Sequence, residues 1–437
     1  MKKSCVRPSR VLCSIVALTL STAASAELDY SVLAGVNYSD NVERTPIDEQ
    51  STGAAVVGFD VRGSRTTGRL LYDVYGDLEY RDYFESGVDS QGFGRMIAQS
   101  SYAIVPETFE WMLSGSFDQV REDLLRPLAP DNLEDVITLS TGPRVTARFA
   151  DAFEAQLQAH YTTANYSVRD FDSETAGAIV TLGRRLSERT YLGIGASYDD
   201  VAYDTAPGVI APDYERREYF LRFNAAGSRT SLDADVGFSE VSGVGLDDDS
   251  PMARVRVTRR MTPYVSGFIG YTREFPTSTD SAFTPEPSQG NLIEDSSILT
   301  AAPREIASSE IGLNLERPRT TAALVYVRRS ETTLGPGEVD RDFDEVFASF
   351  NRLITTRSSF GLYATYMKEN IDVIDSVDSD EKAVGAQLQL AFGRALGIEL
   401  RTEYRKRDSD VSAGSYEELS GGIFVRYGSA RRQGQPQ

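Results

Sequence analysis

The chain has 437 residues, with 45 lysines and arginines against 65 aspartates and glutamates, and a formal net charge of −20. No nucleic-acid partner is predicted, because phosphates must be neutralised by lysine and arginine. The length allows several soluble domains or one large closed sheet. The 22 tyrosines and 20 phenylalanines favour the sheet, since transmembrane strands are rich in aromatic residues.

The first 26 residues have the pattern of a secretory signal peptide. Four basic residues open the segment: Lys2, Lys3, Arg7 and Arg10. The apolar run Val11–Leu20 is too short to cross a bilayer as a helix, and Ala24–Ala26 forms a small-residue cleavage site. The mature chain is therefore expected to begin at Glu27. Removing the segment also removes both cysteines, Cys5 and Cys13, so no disulfide or thiolate site is predicted.

The following chain has a strong period-two pattern. In Leu70–Arg81, in Phe153–Thr162 and in Leu396–Arg405, apolar or small residues alternate with polar ones. Successive side chains of a strand point to opposite faces, so each segment has one apolar and one polar face. Alternation alone also fits a soluble antiparallel sheet with one wet face.

Strand length and aromatic placement favour a membrane. Many alternating runs cover about 10–14 residues, whereas soluble strands are mostly five or six residues long and tilted membrane strands need about 9–11. Aromatic residues end the apolar faces, where interfacial girdles belong. They are Tyr30, Tyr38, Tyr80, Phe109, Phe117, Tyr161, Tyr366, Tyr404 and Tyr427.

The connections alternate between short and long, as in bacterial outer-membrane barrels. Tight turns are predicted at Ser64–Thr66, Pro106–Thr108, Ala150–Ala152, Ser187–Arg189, Gly227–Arg229, Thr262–Pro263, Pro318–Arg319, Thr355–Arg357 and Gly393–Ala395. Longer loops are predicted at Ser39–Ser51, Glu85–Gln91, Arg121–Leu133, Asp170–Glu174, Val201–Asp213, Ser242–Ser250, Pro276–Arg304, Leu334–Asp340, Glu369–Asp380 and Ser409–Ser415. The pattern predicts an all-β, antiparallel up-and-down transmembrane barrel of about 20 strands (18–20) over residues 27–427.

The predicted barrel has no plug domain, and a polar tail covers residues 428–437. Its predicted location is the outer membrane of a Gram-negative-type bacterium, in contact with lipid and lipopolysaccharide. The last strand, Glu417–Tyr427, has a spaced apolar face and a closing aromatic residue. Such a strand resembles the signal that the outer-membrane assembly machinery reads, although ten residues follow Tyr427. Insertion by that machinery is therefore expected.

No catalytic, cofactor-binding or metal site is predicted. His160 is the one histidine, and no nucleophile motif accompanies it, so a solvated lumen residue is favoured over a general base. The acidic stretches Asp247–Asp249 and Glu369–Asp380 could offer oxygen ligands, but their spacing does not match that of an EF-hand. The protein is not expected to be an enzyme.

The polar faces predict a lumen with mixed charge. The candidate lining residues are Arg62, Asp73, Asp77, Glu79, Arg95, Arg144, Arg148, His160, Arg222, Arg254, Arg256, Glu399, Arg401 and Glu403. They fit either a salt-bridged, hydrated interior or a polar track for a hydrophilic solute. The long loop Pro276–Arg304, with four prolines, is the predicted constriction or cover.

The first predicted hairpin carries a family resemblance. Ala34–Val42 reads Ala-Gly-Val-Asn-Tyr-Ser-Asp-Asn-Val and resembles the opening of the β-barrel porin 2 family. The pattern of arginine-bearing turns and tyrosine-rich strands over most of residues 28–427 is also similar to that of the family. The resemblance implies a passive conduit or accessory protein for an extracellular polysaccharide, working with export proteins. A general or solute-specific diffusion porin and a structural or adhesive surface barrel remain as alternatives.

Overall fold

The structure is a computed structural model that describes most of the chain. It covers residues 28–84, 87–150, 152–169, 171–206, 211–277, 303–334, 339–372, 376–393 and 395–428. The predicted signal peptide, most of the predicted tail and residues 278–302 of the predicted constriction loop lie outside the described residues.

The described residues form twenty strands, which confirms the predicted number. The strands are β1 Leu28–Ser39, β2 Thr52–Arg65, β3 Leu70–Tyr83, β4 Gln91–Val105, β5 Phe109–Arg121, β6 Leu133–Phe149, β7 Phe153–Tyr166, β8 Phe171–Ser187, β9 Thr190–Thr205, β10 Tyr214–Ala226, β11 Thr230–Gly243, β12 Leu246–Arg260, β13 Val265–Glu274, β14 Arg304–Arg317, β15 Thr320–Thr333, β16 Asp340–Thr355, β17 Ser358–Asp372, β18 Ser376–Ala391, β19 Leu396–Ser409 and β20 Tyr416–Gly428. Short 3₁₀ turns precede β6, at Pro130–Asn132, and β20, at Ser412–Gly414.

Each strand pairs antiparallel with its neighbours in sequence, and β1 pairs with β20 to close the sheet. The closing pairs run from Ser31 opposite Gly428 to Ser39 opposite Ser420. Closure leaves no free sheet edge, so backbone N–H and C=O groups are paired around the ring. A sheet must meet this condition to stand in hydrocarbon, where unpaired backbone groups are costly.

The outward face is apolar and exposed, as a lipid-facing surface must be. On β1, Tyr30, Val32, Val36 and Tyr38 are all exposed, with the aliphatic residues between the two tyrosines. On β20, Leu419, Ile423, Val425 and Tyr427 form the same kind of row. A closed sheet with this exterior is a transmembrane β-barrel of the outer-membrane type, and the outer membrane is its location. Among the described residues, no helix is long and apolar enough to span a bilayer.

Connections after odd-numbered strands lie on one rim, called here the long-loop rim, and those after even-numbered strands lie on the short-turn rim. Several predicted loops are wrong in extent. Most of Ser242–Ser250 is strand, with Val244–Gly245 alone between β11 and β12. Most of Glu369–Asp380 belongs to β17 and β18, and β9 continues to Thr205. Backbone pairing extends these hairpins beyond the bilayer, where polar residues replace the apolar pattern that marks a strand.

Candidate functional site: the barrel lumen

The predicted lining residues lie on inward faces, spread from β2 to β19 rather than gathered in one site. Their ion pairs are Arg62 with Asp77, Arg95 with Asp118, Arg144 with Glu110, Arg148 with Glu154, Arg222 with Asp235, Arg254 with Glu218 and Glu274, Arg256 with Glu310, Arg401 with Glu79 and Glu399, and Glu403 with Arg405. His160 contacts Asp199. Asp73 lines a cavity in the lumen. Pairing of opposite charges, within strands and between them, therefore organises the interior.

Near the long-loop rim, one carboxylate is held by three arginines. Arg121 Nη2 donates to both Glu369 oxygens, at 2.9 and 3.2 Å. Arg341 Nε lies 2.5 Å from Oε1, and Arg407 Nη2 donates to Oε2 at 3.4 Å. Glu369 on β17 is 1% exposed, and the three arginine side chains are no more exposed than 2%. We call these four residues the arginine cluster.

The arginine cluster joins opposite walls of the barrel. Arg121 ends β5, whereas Glu369 belongs to β17, and seven strands separate the two along the shorter path around the sheet. Neighbouring strands are about 4.8 Å apart, so a direct contact over seven intervening strands must cross the lumen. The interior is therefore bridged by side chains at this level.

The loop after β5, residues 122–132, packs into the same half of the lumen. Arg121 Nη1 donates to the carbonyl oxygens of Leu124 and Arg126, at 2.9 and 3.4 Å, and Arg407 Nη1 also reaches the Arg126 oxygen. Leu128 and Ala129 are buried. We call residues 122–132 the inner loop.

Asn132 gives the inner loop its compact shape. Its Nδ2 donates to the carbonyl oxygens of Asp123 and Pro127, both at 2.9 Å, and its Oδ1 accepts from Asp123 N at 2.8 Å. The amide therefore satisfies backbone groups that a buried loop would otherwise leave unpaired. The loop can lie inside the barrel without an unpaired-group penalty at these positions.

A second anchor connects the inner loop to the first hairpin. Arg44 Nη1 donates to the Leu128 oxygen, and Arg44 Nε donates to Glu418 Oε2 at 2.8 Å. Ser39 Oγ donates to the other Glu418 oxygen at 2.7 Å. Burial is the largest influence and by itself would lower the pKa of Arg44, but the combined attraction of Glu418, Tyr416 and Glu381 outweighs it and the pKa of Arg44 is raised. Arg44 therefore remains charged while it holds the loop.

The lumen contains a cavity of about 700 Å³, which extends from Arg65 and Asp73 at the short-turn ends of β2 and β3 to Arg216 and Glu274 at the long-loop ends of β10 and β13. Its lining includes uncharged polar residues of β4 to β7: Gln99, Ser101, Ser114, Ser140, Gln158 and Thr162. On the side of β9 to β13, Asp199, Arg216, Glu218, Arg254 and Glu274 line it. A surface rich in hydroxyl, amide and paired charged groups suits water and hydroxylated solutes. A smaller cavity of about 220 Å³ lies beneath the inner loop and is lined by Leu128, Ala129, Arg81 and Arg405.

Glycines let some polar partners meet across an intervening strand. Gly177 on β8 stands between His160 on β7 and Asp199 on β9, and His160 Nε2 lies 3.0 Å from Asp199 Oδ1. A Cβ on Gly177 would be 2.1 Å from that oxygen. Gly270, between Arg256 and Glu310, has the same arrangement. The missing side chains are thus what allows these two pairs to form.

The sequence prediction missed the loop and the arginine cluster that occupy part of the lumen. The inner loop was predicted only as one of ten loops, and neither it nor the arginines of the cluster were among the site candidates. Pro127 and Pro130 in an arginine-flanked loop are a weak signal, because many surface loops share it. No group of three histidine, cysteine, aspartate or glutamate side chains among the described residues could hold a metal ion.

No family model matches the chain, and a comparison with curated proteins gives no match. Solved structures match it weakly. The siderophore receptor PirA from Acinetobacter baumannii is 10% identical, with a TM-score of 0.49 over 92% of this chain and 81% of that one. A mutant of the ferric enterobactin receptor PfeA from Pseudomonas aeruginosa is 10% identical, with a TM-score of 0.49 over 93% and 81%. The siderophore receptor PirA from Pseudomonas aeruginosa is 12% identical, with a TM-score of 0.45 over 92% and 80%. The assignment as an outer-membrane β-barrel rests on strand pairing and the apolar exterior, and these likenesses add nothing about function.

Proposed function

We propose that this outer-membrane barrel is a passive conduit or accessory protein for the export of an extracellular polysaccharide. The observation that carries the proposal is the cavity of about 700 Å³ in the lumen, with its hydroxyl, amide and paired charged lining. A polysaccharide exchanges hydrogen bonds with water for hydrogen bonds with such groups at little net cost. The resemblance of Ala34–Val42 to the β-barrel porin 2 family supports this solute class.

Aromatic side chains on the inward face fit the same solute. Arg62 stacks on Tyr75 and Arg401 on Phe424, with each guanidinium carbon about 5 Å from the ring centroid. Flat aromatic and guanidinium surfaces beside hydrogen-bonding groups offer apolar and polar contacts together. A sugar ring presents the same combination of C–H faces and hydroxyl edges.

The second candidate function is a solute-specific diffusion porin, favoured by the same cavity. The two candidates differ in what they do to polysaccharide. Deleting the gene is expected to reduce secreted or surface polysaccharide if the barrel serves export. Unchanged polysaccharide under producing conditions, with ordinary ion conductance, would instead support the porin.

Conductance in planar bilayers tests whether the lumen is a conduit. The wild-type barrel is expected to give small or rare steps, because the arginine cluster and the inner loop bridge the long-loop half. A variant lacking residues 124–130 is expected to give larger, steady steps that polysaccharide fragments block. A Glu154→Gln barrel, changed only at the short-turn rim, serves as the matched control and should behave as wild type. Steps that fragments leave unblocked in the shortened variant would count against a polysaccharide conduit.

A further inference from the structure

The arginine cluster has the composition of a binding site for a carboxylate. An ionised carboxylate has two oxygens and about four acceptor positions, and both Glu369 oxygens are engaged. Arg121 contacts both, Arg341 contacts Oε1 and Arg407 contacts Oε2. A bidentate arginine supplemented by two further guanidiniums is the geometry that recognises a planar acid. The carboxylate that occupies the arginine cluster in this structure is the side chain of Glu369, a residue of the protein itself.

The same guanidiniums position the inner loop. Arg121 donates through Nη2 to Glu369 and through Nη1 to the Leu124 and Arg126 oxygens. Arg407 divides its donors in the same way between Glu369 and the Arg126 oxygen. The placement of the carboxylate and that of the loop are therefore coupled through two shared side chains.

A carboxylate can be replaced in this site by another carboxylate but not by a neutral group. Removing one partner of a buried ion pair costs about 3–5 kcal/mol, because the remaining charge is left without compensation. An incoming carboxylate keeps the guanidiniums compensated while Glu369 turns away, whereas a neutral sugar leaves them exposed to that cost. The cavity of about 220 Å³ borders the inner loop at Leu128 and Ala129, whereas the arginine cluster does not line it, so a solute in this cavity contacts the loop before it contacts the cluster.

We propose that Arg121, Arg341 and Arg407 bind a carboxylate of an acidic solute that enters from the lumen. Glu369 occupies this site in the solute-free barrel. The solute carboxylate replaces Glu369, the shared guanidiniums shift, and the inner loop moves away from the lumen axis. The inference rests on the proposed function as a conduit and adds the substrate class, a polysaccharide bearing carboxylates such as uronates.

A cysteine reporter on the inner loop tests the exchange. Ala129 is 2% exposed, and the sequence has no cysteine after Cys13, so an Ala129→Cys barrel produced from residue 27 onward has its one cysteine in this loop. Its rate of reaction with a soluble maleimide is measured in lipid vesicles. Oligogalacturonate is the acidic probe, and a malto-oligosaccharide of equal length is the neutral one. Sodium chloride at matched ionic strength controls for screening of the ion pairs.

We expect oligogalacturonate to raise the labelling rate at least about fivefold, the lower end of ordinary coupling between two sites, with no change from the neutral probe or the salt. Glu369→Gln in the reporter background removes the competing charge. It should lower the half-maximal oligogalacturonate concentration at least about fivefold by the same linkage. Glu154→Gln, which removes a carboxylate that also binds two arginines, should leave that concentration unchanged.

Equal labelling with the acidic and neutral probes would overturn the inference, as would an unshifted half-maximal concentration in Glu369→Gln. If Glu369→Gln fails to fold, the comparison of the acidic and neutral probes on the Ala129→Cys barrel still tests the inference. Failure here is distinct from failure of the proposed function. A conduit for neutral polysaccharide would still show fragment block and a secretion defect, but no effect specific to acid.

Discussion

Two ion-paired sets near opposite rims of the barrel use the same residue types in different physical environments. Near the long-loop rim, Glu369 is 1% exposed and its arginine partners are buried with it. Near the short-turn rim, the Glu154 side chain is 18% exposed, and its partners Arg148 and Arg185 are about half exposed, at 47% and 51%. Both carboxylates accept from more than one arginine. Water is excluded from the first set and reaches the second.

This difference determines what an ion pair contributes. A buried charge without its partner is strongly destabilising, whereas exposed pairs contribute between zero and about 1 kcal/mol. The arginine cluster is therefore expected to be rigid. The set of Glu154, Arg148 and Arg185 is expected to be hydrated and tolerant of change.

The largest effect on stability is expected for the buried carboxylate, Glu369. Glu369→Ala should lower the free energy of unfolding by about 3–5 kcal/mol, because three guanidiniums lose their shared partner. Glu154→Ala should lower it by no more than about 1 kcal/mol. Urea unfolding in lipid vesicles, followed by tryptophan fluorescence and gel mobility, measures both. Equal losses would contradict the distinction between a buried arginine cluster and a water-exposed Glu154 set.

The next prediction compares the two faces of one strand. Leu324 on β15 points outward and is exposed, while the adjacent Ala323 faces the lumen. Leu324→Arg should cost about 2–4 kcal/mol if the residue stands at mid-bilayer. Ala323→Arg places the same charge among polar residues and should cost less than half as much. The same unfolding assay applies, and a larger loss for Ala323→Arg would reverse the assignment of faces.

A smaller effect is expected where glycine allows two polar side chains to meet. Gly177→Ala puts a Cβ 2.1 Å from Asp199 Oδ1, so the contact between His160 and Asp199 must break. The expected loss is about 1–3 kcal/mol, the usual cost of overpacking, because the Asp199 carboxylate that Arg216 also holds must move to make room. Gly115→Ala is the control, since its Cβ would have no neighbour nearer than 3.8 Å, and it should change stability by about 0.5 kcal/mol or less. Similar losses at both glycines would show that backbone propensity, not the crowding at Asp199, sets the cost.

Most of the fold could be predicted from the sequence, and the errors in the predicted loop boundaries have one cause. Period-two alternation identified strands wherever one face meets lipid, which is why the number of strands agrees with the structure. The alternation disappears where strands extend beyond the bilayer, as in β11 and β12 around Val244–Gly245. Both faces are polar there, so a paired strand has the composition of a loop. The ends of these strands could therefore be located only from their pairing with the neighbouring strand in the structure.

Less of the candidate site in the lumen could be predicted from the sequence. Inward positions such as Asp77, Glu79 and Arg401 follow from the same alternation. Their partners do not, because the contact of Arg401 with Glu79 joins strands at opposite ends of the chain. The predicted constriction, Pro276–Arg304, was chosen for its length, and residues 278–302 lie outside the described residues. The loop that the structure places inside the lumen is shorter and was not singled out.

The sequence by itself determined which face of each strand meets lipid, because lipid accepts only apolar side chains and the strand repeats every two residues. It also determined that the sheet must close, since hydrocarbon leaves no partner for a free edge. The tertiary structure decided which charges lose contact with water. Arg121 and Glu369 are 248 positions apart, and only closure of the sheet brings them within hydrogen-bonding distance. Their burial, rather than their identity, distinguishes them from the exposed ion pairs of Glu154.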